Sequence, residues 1–173
     1  MSSPRPVIPA VSVALHTLIA LDVAERLNFL AALPYVALRR APDAWLGDGT
    51  APWTRALGAE LAHRLGADVA DDVSLVLRDL HDRAFEAILA AAGLARPSRE
   101  IVEQVELVGR IALMTERRWF MAPPSRPWEA SLEALADHPA TRRKPKWLAP
   151  DRAADALLER LRQLLPALRA EPA

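Results

Sequence analysis

The sequence predicts an all-α fold built as one domain over residues 1–173. Apolar residues recur at three-and-four spacing through several long stretches, serine, glycine and proline stand at their ends, and no run alternates regularly enough to compete as a strand. With 173 residues and 51% hydrophobic residues, the chain is long enough to bury one sizeable core.

The elements follow in order. Val11 to Leu33 is apolar on most faces, with Val13, Leu18, Leu21, Leu27 and Leu30 recurring, as expected of a central helix enclosed by neighbours. Pro34 and Pro42 then bound a short segment, Tyr35 to Arg40, before a turn of helix from Asp43 to Leu46 and a break at Gly47-Asp48-Gly49. From Asp71 to Ala92 the positions Val73, Val76, Leu77, Leu80, Ala84 and Ile88 mark an amphipathic helix that Gly93-Leu94 closes. Ser98 caps a further helix burying Ile101, Val105, Val108, Ala112 and Trp119, which ends before Pro123-Pro124. Trp119, Phe120 and Met121 are expected to plug the edge of the core. Residues 123–150, rich in proline and charge, read as an irregular surface connector. A last helix starts near Asp151 with Leu157, Leu161, Leu164 and Leu168 inward.

Charge narrows the function classes. Lys plus Arg and Asp plus Glu both number 22, so no net field draws the chain to nucleic acid or an anionic membrane. The absence of cysteine removes disulfides, thiolate metal sites and cysteine nucleophiles together, and suits a reducing cytoplasm. Val7 to Val23 is interrupted by Pro9, His16 and Asp22 and is too short for a membrane span of roughly 20 residues, so it reads as a buried helix and no membrane partner is expected.

Three fragments carry the chemistry: Ser12-Val13-Ala14-Leu15-His16-Thr17, Ala41-Pro42-Asp43-Ala44-Trp45-Leu46-Gly47-Asp48, and Ala112-Leu113-Met114-Thr115-Glu116-Arg117-Arg118. Together and in this order they resemble the HD-domain phosphohydrolases of the 5'-deoxynucleotidase-like branch, over roughly Ser12 to the C-terminus. The resemblance implies an HD-domain-like helical bundle. It also implies a divalent metal held by one His, a His-Asp pair and a distant Asp, with a metal-bound water attacking phosphorus. His16 matches the first ligand. Arg39 and Arg40 stand at the positions of the His-Asp pair, and Gly109 stands at that of the distant Asp. Guanidinium groups have no lone pair to donate and place fixed positive charge where a dication must sit. The resemblance retains Asp43 at the motif Glu and Asp48 at the Asp after glycine, positions tied to water activation and leaving-group protonation; solvated or helix-capping carboxylates are the alternative reading. The extension that usually precedes the first motif, used in substrate binding, is largely missing.

The expectation is therefore a degenerate member, with no resident cofactor, that binds a nucleotide, another phosphate-bearing anion or a partner protein through Arg39, Arg40 and His16 without hydrolysing it. Two alternatives stand beside it. One is an active phosphohydrolase in which His16, Asp43 and Asp48 recruit Mn, Co, Zn or Mg; the other is a plain helical interaction scaffold. A homo-oligomer is compatible with each.

His81-Asp82 lacks the following Glu and Gly-Asp of the motif and sits beside Leu77, Leu80 and Ala84, so it reads as a partly buried structural histidine. His63 and His138 stand alone and take no role. Arg142, Arg143, Lys144, Lys146 and Trp147, with Arg117 and Arg118, are read as a solvated connector in preference to a nucleic-acid patch.

Overall fold

A computed structural model describes residues 11–47, 51–124 and 127–168, and every regular element among them is helical. These residues fall into two compact units, one formed by the chain up to Ala37 together with Pro97 onward, the other by Leu38–Arg96.

In the first unit, helix α1 (Val13–Arg26) starts where the Ser12 hydroxyl accepts the Leu15 N–H at 3.1 Å. It stops well short of Leu33. Asn28 adopts φ 57°, its N–H donates to Glu25 O at 3.0 Å, and the Phe29 N–H donates to Ala24 O at 2.9 Å. This paired cap satisfies the last carbonyls of the helix and turns the chain. A 3-10 turn, Leu30–Ala32, then leads into α2 (Leu33–Leu38), which carries Pro34 in its first turn, where no N–H need be donated.

The Ser98 hydroxyl accepts the Ile101 N–H at 3.3 Å and opens α6 (Arg99–Phe120). Helix α1 packs against both α6 and α8 (Pro150–Leu164). The core between them holds Leu15, Leu21 and Val23 of α1, Val108 and Ile111 of α6, and Ala153 of α8. Each fully buried Leu, Ile or Val contributes about 1.5–3 kcal/mol. Ile101 and Trp119 are only half-buried, and Met121 is exposed, while Phe120 is buried as expected. Leu157, Leu161 and Leu164 are half-buried, but Leu168 is exposed. Pro166 cannot continue the helix, so the phase that would have turned Leu168 inward is lost and Leu165 is buried instead.

Residues 123–150 hold more order than a bare connector. They include α7 (Ala130–Glu133) and a 3-10 turn, Pro139–Arg142, whose Thr141 is fully buried. The end of α6 holds this segment: the Trp119 indole N–H donates to Thr141 O at 2.9 Å, Arg118 donates to Ala136 O at 3.3 Å, and Arg117 pairs with Glu133 at 2.6 Å. The Arg117 guanidinium also lies 4.8 Å from the Trp128 ring centre. Two of the basic residues weighed as a nucleic-acid patch are thus engaged within the fold.

The second unit consists of α3 (Asp43–Leu46), α4 (Ala51–Leu65) and α5 (Ala67–Ala91), with α4 packed on α5. Helix α4 has no counterpart among the elements expected from periodicity. Helix α5 begins four residues earlier than expected, directly after Gly66 at φ 98°, and ends as expected: Gly93 at φ 72° donates to Ala90 O and Leu94 donates to Leu89 O. Its expected buried face is only partly covered. Val73, Ala84 and Ile88 are half-buried, whereas Val76, Leu77 and Leu80 are exposed. No helix among the described residues is long and apolar enough to cross a membrane.

Candidate anion site in the second unit

The turn between α2 and α3 is tightly wound. The Ala41 N–H donates to Leu38 O, Asp43 to Arg40 O and Ala44 to Ala41 O, so Pro42 is buried and Arg40 is brought over Asp43 three residues on. Arg40 Nε lies 2.7 Å from Asp43 Oδ2, with the Asp43 side chain only 9% exposed. Burial of a carboxylate is costly unless a cation accompanies it, and here the guanidinium supplies that charge. Arg39, next to it, faces solvent.

His81 of α5 completes the group. Its Nε2 lies 4.0 Å from Asp43 Oδ1, and its Nδ1 lies 4.0 Å from Asp82 Oδ1. Burial and then the Arg39 charge hold the imidazole below the usual histidine range, with Arg40 adding to the effect, although Asp43 and Asp82 pull the other way. Arg40 and His81 therefore both approach the largely buried Asp43 carboxylate, while Arg39 stays on the surface beside Arg40. Asp48 lies outside the described residues.

His16 belongs to the first unit. Its Nδ1 lies 2.7 Å from Oε1 of Glu116, whose side chain is 4% exposed, while the ring itself is 22% exposed. Gly109 stands two turns before Glu116 on α6, half-buried, and a β-carbon there would meet no atom within 4 Å. The space for an aspartate exists, but the carboxylate does not.

No protein-family model matches the chain, and no curated protein or solved structure matches it either. Arg39, Arg40 and Asp43 do not fit a divalent ion, because the two arginines are fixed cations and Arg40 already pairs with Asp43. Among the described residues no three His, Asp or Glu side chains stand together as a metal-holding group. An exposed guanidinium near a half-buried imidazole is chemically suited to an anion rather than a cation.

Two contributors escaped the sequence reading. Glu116 continues the buried phase of Val105, Val108 and Ala112, and a charge on such a phase signals a buried partner. His81 has the right apolar neighbours for a structural role; its approach to Asp43 depends on how the α2–α3 turn meets α5, which no spacing encodes.

Proposed function

We propose that this protein is a degenerate relative of the HD-domain phosphohydrolases that binds a nucleotide or another phosphate-bearing anion at Arg39 and Arg40 without hydrolysing it, in a reducing cytoplasm. The observation that carries this reading is the Arg40–Asp43 pair at 2.7 Å, at positions where the resemblance puts a metal ligand and a catalytic carboxylate. An arginine that neutralises the carboxylate takes over the charge of the ion and removes the means of making hydroxide at neutral pH. The adjacent, solvent-facing Arg39 remains for bidentate contact with phosphate oxygens. His16, paired with Glu116 in the first unit, is left out of this proposal.

Phosphate at a hundredfold excess over its Kd should stabilise the wild type by about 2.7 kcal/mol. That amounts to a rise in Tm of about 5–10 °C for a chain of this size. Arg39→Ala should lose the rise, and deoxynucleoside mono- and triphosphates should stay intact with manganese, cobalt or zinc supplied. Turnover that disappears in Asp43→Asn, or a Tm unmoved by phosphate, would refute the reading.

The exposed stripe of Val69, Val76, Leu77 and Leu80 favours a second reading, a helical scaffold that uses α5 to meet another protein or a second copy of the chain. Sedimentation of the wild type beside Val76→Lys tests it: a larger species confined to the wild type supports that use of α5, and a monomer in both excludes the second copy.

A further inference from the structure

We infer that His81 is the third ligand group of the anion site and binds as imidazolium, so that each anion bound takes up one proton from solution. The inference rests on the reading of Arg39 and Arg40 as an anion site and adds a residue and a regulation to it.

Geometry supplies the first reason. His81 projects from α5 onto the same buried carboxylate that Arg40 contacts, with Nε2 at 4.0 Å from Asp43 Oδ1, and its side chain remains 27% exposed. The ring thus stands with Arg40 at one carboxylate, and it is open enough to solvent to meet an anion. Asp43 is already held by Arg40 at 2.7 Å, so its negative charge is largely spent on that partner.

Electrostatics supplies the second. The charges acting on the ring are Arg39 and Arg40 from the turn before α3, Asp43 from α3 and Asp82 from α5 itself; among the described residues α4, which packs on α5, contributes none. Asp82 stands as close as Asp43, with its oxygen 4.0 Å from Nδ1, but it is well exposed and its charge is screened by solvent. Burial and then Arg39 consequently disfavour the charged ring when the site is empty. An anion seated on Arg39 cancels that repulsion and adds an attraction of its own, which favours the charged ring. By linkage the anion then binds more tightly as the pH falls.

Sulfate is the suitable probe, because its own charge is constant across the range in which histidine titrates. Calorimetric titration of the full chain should show sulfate binding several-fold more tightly at about pH 5.5 than at about pH 8, with uptake approaching one proton in buffers of different ionisation heat. NMR titration of the wild type should show the His81 ring protonating at higher pH with sulfate present. His81→Gln should still bind sulfate, with an affinity that no longer varies with pH. Unchanged pH dependence in His81→Gln, or a His81 titration that sulfate does not move, overturns the inference while leaving the anion site intact. Absence of sulfate binding at every pH, or binding indifferent to Arg39→Ala, overturns the anion site itself and this inference with it.

Discussion

Glu116 places a carboxylate on the buried face of α6, and His16 answers it from α1 at 2.7 Å. Removing the imidazole strands a buried acid. His16→Ala should cost about 3 kcal/mol in urea unfolding, near the lower end for breaking a buried pair. Glu116→Gln, which keeps the volume and one hydrogen bond, should cost about 1 kcal/mol. The two arginines should behave differently from each other. Arg40→Ala should cost about 1–2 kcal/mol, less than a fully buried pair because the guanidinium is itself 34% exposed. Arg39→Ala, on the surface, should stay within about 0.5 kcal/mol. A larger loss at Arg39 than at Arg40 would reverse the assignment of inward and outward arginine. At this scale the sequence alone shows arginine at 39 and 40 and glycine at 109, the positions where the resemblance would put metal ligands, because residue chemistry needs no coordinates. It did not expose the partner of His16 or the neighbour of Asp43, since each joins residues far apart in the chain.

Helix ends were legible where a side chain or a special backbone conformation made them. Ser98 and Gly93 each do what their type allows, a hydroxyl accepting an orphan N–H and a glycine taking positive φ. Asn28 is the subtler case, and overlooking it joined α1 to the residues beyond. Asn28→Gly should be neutral or slightly stabilising, whereas Asn28→Val should cost about 1–2 kcal/mol by forcing a branched side chain into the left-handed region. Equal Tm values for the two variants would show that the cap is not what ends α1. Helix α4 was missed although Trp53, Leu57, Leu61 and Leu65 recur every four residues; with Trp53 and Leu65 exposed, the row reads weakly as a buried face. Leu168 failed for the opposite reason, a correct period carried past a proline.

Across the whole molecule the all-α class followed from periodicity, while the distribution of burial did not. Helix α5 has the period of a covered helix and yet exposes Val76, Leu77 and Leu80, because only some of its apolar side chains are covered by neighbouring elements. Stability should carry the mark of His81. Its folded state disfavours the proton, so the unfolded chain binds more protons between the lowered folded pKa and the ordinary value of about 6.5. Stability is therefore full above that ordinary value and declines as the pH falls below it. Urea midpoints measured from about pH 8 to about pH 5 should decline more steeply in the wild type than in His81→Gln. An identical slope would show that His81 does not contribute to this pH dependence.

We propose that an arginine pair has taken the place of a metal. Calorimetric titration of chelator-treated wild type with phosphate, and separately with manganese, tests it most directly. One saturable phosphate per chain, lost in Arg39→Ala, and no saturable manganese are expected. One tightly bound manganese per chain, with no heat from phosphate, would contradict it.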